Sequence, residues 1–283
     1  MVRSGVTNWS LRVAGERLRI KLRRTVSLRL ACRAVVMRNK EPLVSFTFDD
    51  FPCSALLEGG SILETYSLRG TFFASLGLMG TTAPTGAIFG VSDLHKLIQK
   101  EHEIGCHTFN HYNAWETAPS EFQASIVQNR EALDRYLPGA FFRNFSYPIS
   151  CPRPRTKRMM SKYFDCCRGG GQTLNAGSLD LNFLKAFFLE KSSGDFDSIA
   201  RLIERNSRER GWLIFATHDV SKRPTKFGCT PQFFEQVVRC AISSGATILT
   251  VCGALEKVRG KPSHASASEL ALDRRASGAK PAP

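Results

Sequence analysis

Two carboxylates side by side, Asp49 and Asp50, close the apolar run that begins at Val44. Two imidazoles, His107 and His111, sit four residues apart in Gly105-Cys106-His107-Thr108-Phe109-Asn110-His111. Two imidazoles and one carboxylate form a common open site for a divalent metal such as zinc, leaving positions for a water and a substrate oxygen. The second carboxylate is then at hand to take that water's proton. These residue types point to metal-assisted hydrolysis.

Neither pair decides the matter alone. Adjacent acids also cap helices or sit in solvated turns, and a His-xxx-His pair without a flanking Glu also describes one buried and one surface imidazole. Neighbouring residues on a strand face opposite sides, so Asp49 and Asp50 share a pocket only if the chain turns at the strand's end. Further groups stand at comparable places. Trp212-Leu213-Ile214-Phe215-Ala216-Thr217 ends in His218, whose pKa range suits a general acid or equally a structural cap. Asp219 is expected to orient a neighbour or to cap the loop that follows. Arg143-Asn144-Phe145-Ser146-Tyr147-Pro148 offers turn N–H groups for an oxyanion and a guanidinium able to keep a carboxylate ionised. His95 and His102 are read as surface residues, Gly169-Gly170-Gly171 as a plain turn, and Cys166-Cys167 as buried thiols.

The elements that must position these groups alternate. Strands are predicted at Val44–Phe48, Gly70–Ser75, Glu103–Thr108, Phe141–Tyr147, Phe164–Arg168, Trp212–Thr217 and Thr247–Val251. Helices are predicted between them, at Ala55–Tyr66, Ser92–Lys100, Ser120–Leu137, Arg155–Lys162, Phe196–Arg208 and Pro231–Ser244. Such alternation predicts a mostly parallel sheet, and in β/α barrels chemistry gathers at the C-terminal ends of the strands. Asp49, Asp50, His107, Tyr147 and His218 all fall there.

A chain of 283 residues, 42% hydrophobic, can bury a large core, and the spread of the motifs favours one domain. The formal charge of +14 is concentrated in the first 40 residues, which hold eleven Lys or Arg and one acid, Glu16. Residues 1–41 are therefore read as a basic arm, 42–256 as the globular domain and 257–283 as a disordered tail. The arm interleaves Leu, Ile and Val with Arg. It suits a solvated helix packed on the domain or, second, an anionic membrane surface; nucleic acid ranks last, since no recognition module accompanies the charge. No secretory signal or bilayer-spanning run is visible, which reads as a cytoplasmic protein or one peripheral to the inner membrane face. Nine cysteines without paired zinc spacing fit reduced thiols better than a disulfide framework.

Phe46-Thr47-Phe48-Asp49-Asp50, His107-Thr108-Phe109-Asn110-His111, Ser146-Tyr147-Pro148 and Thr217-His218-Asp219 resemble, in order and spacing, the motifs of the polysaccharide deacetylases (carbohydrate esterase family four, the nodulation-protein-B homology domain). The resemblance spans about Pro42 to Leu255. It implies a distorted, incomplete (β/α) barrel of about seven units. It also implies Asp49 as general base, Asp50, His107 and His111 as ligands of a divalent metal (zinc, with cobalt or manganese as alternatives), the Tyr147 N–H as oxyanion donor and His218 as general acid. The sequence departs from the family pattern in three places. Arg143 lies four residues before Tyr147. The fourth motif is unrecognisable, leaving Asp180 as the candidate to orient His218. Ala216 stands where Leu often lines the acetyl pocket. The implied activity is removal of N-acetyl groups from N-acetylglucosamine-containing glycans. O-acetyl ester hydrolysis, a non-catalytic glycan-binding barrel and an adaptor built on the basic arm are the alternatives.

Overall fold

A computed structural model describes residues 5–149, 151–192 and 194–260. Along the chain run α1 (Gly5–Arg29), β1 (Ala34–Val36), β2 (Leu43–Phe48), α2 (Ser61–Thr65), β3 (Thr71–Ala74), the short pair β4 (Thr82–Ala83) and β5 (Gly86–Ala87), α3 (Val91–Gln99), β6 (Glu103–Cys106), α4 (Pro119–Tyr136), β7 (Asn144–Ser146), α5 (Pro154–Met160), β8 (Cys166–Arg168), β9 (Ser178–Asp180), β10 (Phe187–Phe188), α6 (Phe196–Glu209), β11 (Trp212–Thr217), α7 (Pro231–Ser243), β12 (Thr247–Ile248) and α8 (Val251–Val258). The main sheet is parallel throughout, in the order β10-β11-β2-β3-β6-β7-β8, with β12 also paired to β2. It curls into a half-barrel with helices packed outside, the distorted, incomplete (β/α) barrel expected.

The central strands read as continuous apolar runs because both faces are covered. Every residue of β2 and of β11 is buried. Phe46 and Phe215 stack across their shared ladder, and Phe48 stacks on Phe72. Helix starts are written locally: Thr230 accepts the Phe233 N–H ahead of Pro231 at the first turn of α7, and Asp195 accepts the Ser198 N–H at the start of α6. Gly105 in β6 leaves room where an added Cβ would lie 2.3 Å from Asn144 Oδ1 and 2.4 Å from the Phe73 ring.

All seven expected strands form: Trp212–Thr217 as expected, β2 one residue longer, and the other five two to four residues shorter. The strands β1, β4, β5, β9 and β10 and the helix α8 were not foreseen. The chain after Asn39 enters the barrel through β2, but β1 before it pairs antiparallel with β9. β10 extends the sheet beside β11, and Thr250 caps α8 by accepting the Gly253 N–H. Helix α8 runs through Val258, past the start of the expected tail, whose remainder from 261 lies outside the described residues. His102 is not a surface residue: it is 3% exposed, its Nδ1 accepts the Gly70 N–H, and Glu64 lies 3.2 Å from its Nε2. His95 is exposed as expected.

The foot of α1 is packed on the domain. Arg23 pairs with Glu116 and lies over Trp115, and Lys157 donates to the carbonyls of Ser27 and Leu30. Further out, Leu18, Ile20 and Leu22 are exposed among the basic residues. Among the described residues no helix is long and apolar enough to cross a membrane. The nine cysteines are free thiols, five of them buried, including Cys166 and Cys167.

Candidate active site

Asp49 and Asp50 do reach one pocket, and the backbone shows how. Asp49 continues the β2 ladder, its N–H donating to the Thr217 carbonyl, whereas Asp50 and Phe51 adopt left-handed φ values of 60° and 52°. That conformation is costly for residues with a Cβ and is characteristic of functional sites. It swings the second carboxylate to the same rim as the first. Thr108 at 62° and His111 at 53° repeat the device after β6.

Asp50, His107 and His111 converge: their ligand atoms all lie within 4.8 Å of one another. Asp50 Oδ1 is 3.5 Å from His107 Nε2 and 3.0 Å from His111 Nε2. Donors bound to one ion at about 2.0–2.1 Å in a tetrahedral shell stand roughly 3.3 Å apart, so the set fits a divalent metal. Three details support the fit. Asp50 Oδ2 is held by the Thr85 hydroxyl, while Oδ1 is buried without a hydrogen bond of its own. The His107 Nδ1 lies 2.8 Å from the Ser146 carbonyl, which makes Nδ1 the protonated nitrogen and leaves the Nε2 lone pair facing Asp50. Burial pushes the His107 imidazole down to about 4, keeping it neutral, the form that ligates.

Asp49 is 4% exposed. Burial alone would raise its pKa, but Arg168, His107 and His218 together hold it below the usual carboxylate range. The Arg168 guanidinium, 1% exposed, donates to Asp49 Oδ1 and to the Ser146 hydroxyl, and it lies 5.0 Å from the Phe73 ring centroid and 5.4 Å from that of Phe188. His218 completes the rim. Its Nδ1 lies 3.1 Å from the Phe227 carbonyl, so Nδ1–H donates there, Nε2 has no hydrogen-bond partner among the described residues, and the Phe188 ring stacks on it at 6.1 Å. Asp219 does not touch a catalytic neighbour. It accepts the N–H and hydroxyl of Thr225 and so shapes the loop that presents Phe227, with Gly228 so close that an added Cβ would meet its carboxylate at 2.2 Å.

Three expected site residues lie elsewhere. Arg143 sits at the entry of β7, the opposite end of the strand from the rim, bound to Asp165 and Glu256, both at 3.1 Å. Asp180, on β9, pairs with Lys157 at 2.5 Å and accepts the Arg33 N–H, with no contact to His218. Tyr147 does follow β7, but its N–H is committed to the Arg168 carbonyl at 3.0 Å and its hydroxyl to Asn182, so it packs the core and offers no oxyanion donor. Arg168 is the residue the sequence reading missed. The signal was present: it ends the expected strand Phe164–Arg168, the same kind of place that singled out the two imidazoles.

The family model for polysaccharide deacetylases matches residues 37–163, which carry the two aspartates and the His107–His111 pair. Over those residues the chain is similar to the polysaccharide deacetylase family, in agreement with the resemblance its motifs carry. No curated protein matches the sequence. Among solved structures, a family 4 acetyl xylan esterase from Clostridium thermocellum in complex with a cobalt ion is similar at 20% identity and a TM-score of 0.53, over 78% of this chain and 93% of that one. The Bc1960 peptidoglycan N-acetylglucosamine deacetylase is similar at 15% identity and 0.54, over 81% and 94%. A family pseudoenzyme from Bacillus anthracis is similar at 10% identity and 0.52, over 78% and 67%. These likenesses concern the fold.

Proposed function

We propose that this chain is a metal-dependent deacetylase that removes N-acetyl groups from N-acetylglucosamine-containing glycans. The observation that carries the reading is the convergence of Asp50, His107 and His111 on one point, beside a second carboxylate with its own cation and an imidazole whose Nε2 has no hydrogen-bond partner among the described residues. A non-catalytic barrel has no chemical need for this set.

Asp50, His107 and His111 would hold a divalent ion, zinc by ligand chemistry, with cobalt or manganese as alternatives. Once bound, such an ion polarises an acetyl carbonyl and makes a water acidic. Asp49 is ionised and fixed by Arg168, so it can accept a proton from that water during attack. His218 in its protonated form can donate from Nε2 to the departing sugar nitrogen, while Nδ1–H stays on Phe227 and keeps the ring aimed. An amine leaves poorly unless protonated, so this donor matters most for an amide. Ala216, buried on the barrel's inner face beside Phe188 in the ladder, suits an acyl group at least as large as acetyl.

The O-acetyl reading retains one support, the acetyl xylan esterase among the solved structures, and the same side chains would serve it. The test is acetate release from N-acetylglucosamine oligomers and from acetylated xylan, with and without added zinc or cobalt, alongside Asp49→Ala and His218→Ala. The proposal expects metal-dependent release from the amide substrate, reduced in each variant by about two to four powers of ten. Release from xylan alone would move the assignment to the ester, and release from neither by metal-loaded protein would leave a binding barrel.

A further inference from the structure

A second charged constellation lies at the end of the barrel away from the catalytic rim. Residues 141–143 lead into β7 and 161–165 into β8, and between them opens a cleft of about 290 Å³. Because the strands are parallel, this is the end opposite to Asp49, His107 and His218. A ligand there would not touch the reacting groups.

Arg33, Arg130, Arg143 and Lys162 line the cleft, against one acid, Asp165. The four cations are not equivalent. Arg143 is neutralised by Asp165 and Glu256. The hydrogen bonds made by the Arg33 and Arg130 guanidinium groups are to neutral carbonyls, although the Arg33 backbone N–H donates to Asp180. Arg33 donates to the carbonyls of Phe164 and Asp165 at 3.1 and 2.6 Å, and its Nε is buried without an acceptor. Arg130 donates to the Tyr163 carbonyl at 2.8 Å and lies over the rings of Tyr163 and Phe164 at 5.2 and 5.5 Å. Lys162 is exposed, and among the described residues none of these three has a carboxylate at ion-pair distance. The cleft therefore gathers two positioned guanidinium groups and a movable ammonium, none of them in an ion pair among the described residues. Fixed guanidinium edges match the oxygens of a tetrahedral anion, and their rigid mounting lowers the ordering cost of binding one. The volume is at the low end for ligand clefts, about 300–1,000 Å³, which suits a small anion with its waters.

We propose that this cleft binds a phosphate group, with Arg33, Arg130 and Lys162 as its donors. Two sources present that chemistry, a soluble phosphate and the headgroup of an anionic lipid. For the lipid source the surroundings are suitable: Phe141 is 64% exposed at the cleft, and Arg33 lies just past the end of basic α1 with its exposed Leu18 and Leu22.

The test uses the full chain at low ionic strength, where such attraction is least screened. Inorganic phosphate is titrated by calorimetry, and phosphatidylcholine vesicles with and without phosphatidic acid are sedimented with the protein. The proteins are wild type, Lys162→Glu, Arg130→Gln and the charge-retaining Arg130→Lys. The expected result is saturable phosphate binding, weakened about tenfold or more by Lys162→Glu and Arg130→Gln but not by Arg130→Lys, with acetate release from Lys162→Glu equal to wild type. If phosphatidic acid vesicles bind and Lys162→Glu releases them, the source is the headgroup; if phosphate binding depends on Lys162 and vesicle binding does not, it is soluble. Absence of saturable phosphate binding in the wild type overturns the proposal, as does phosphate affinity indifferent to Lys162→Glu. Because Lys162 is a surface side chain, that variant remains informative even if Arg130→Gln fails to fold.

Discussion

Arg168 donates a hydrogen bond to Asp49 across the half-barrel, from the end of β8 to the end of β2, and the two are 1% and 4% exposed. Burial by itself would push the Asp49 carboxyl up, and Arg168 is the first of the charges that hold it down. Removing the cation leaves a buried carboxylate uncompensated, which typically costs about 3–5 kcal/mol. Arg168→Ala is therefore expected to lower the melting temperature. It should also raise the Asp49 pKa, so that the acid limb of the kcat/KM profile moves to higher pH. Arg168→Lys should recover part of the stability but not the paired contacts to Asp49 and Ser146. An acid limb unchanged in both variants would show that Asp49 does not set it.

The metal assignment predicts a stability linkage. Dialysis against a chelator should lower the melting temperature of the wild type, and returning zinc should restore it, because an ion bound only by the folded state stabilises by about 2.7 kcal/mol at a hundredfold excess over Kd. Asp50→Ala and His107→Ala should lose this response and bound metal by elemental analysis. Ser146 contributes its backbone carbonyl to His107, so Ser146→Ala should keep the metal while disturbing Arg168. Metal retained at one equivalent in Asp50→Ala would sink the site as drawn.

Arg143 and Asp180 separate the sequence reading from the structure. Both make ion pairs far from the rim, with Asp165 and Glu256 for the one and Lys157 for the other. Arg143→Ala and Asp180→Asn are expected to cost stability while leaving kcat within about threefold of wild type, an effect under roughly 0.7 kcal/mol on the barrier. A loss of kcat comparable to that of Asp49→Ala in either variant would contradict this placement.

Glu190 follows β10, which runs parallel to β11, and it lies within electrostatic range of His218 and Asp49. Burial pushes its carboxyl up to about 7, and its Oε2 is buried without a hydrogen bond. The folded state therefore binds this proton more tightly than the unfolded chain, so the linked stability is full below pH 4.5 and is lost as pH rises to about 7. At about 1.4 kcal/mol per unit the loss is on the order of 3–4 kcal/mol. Glu190→Gln should be more stable than wild type at pH 8 and show a flatter dependence between pH 5 and 7 in chemical denaturation, as a neutral amide has no proton to lose. Parallel curves for the two proteins would exclude Glu190 as the titrating group.

The sequence by itself determined the parallel β/α alternation, since continuous apolar strands and capped amphipathic helices are local patterns. It also determined that Asp49, Asp50, His107 and His218 would share the strands' C-terminal rim, because one position in one kind of element places them all on one side. It did not determine which cation stands beside Asp49. Arg143 is near Tyr147 along the chain, but three residues of β7 carry the backbone from one end of the barrel to the other between them, while Arg168 reaches Asp49 from a separate strand. Asp180 was likewise misplaced, because the pairing of β9 with β1 is a long-range contact with no local signature. Adjacent acids on a strand diverge unless the backbone turns left-handed, and that turn at Asp50, a residue without glycine's freedom, is imposed by the packed rim around it. Which ionic groups meet was decided by the curling of the sheet, a tertiary property that spacing along the chain does not encode.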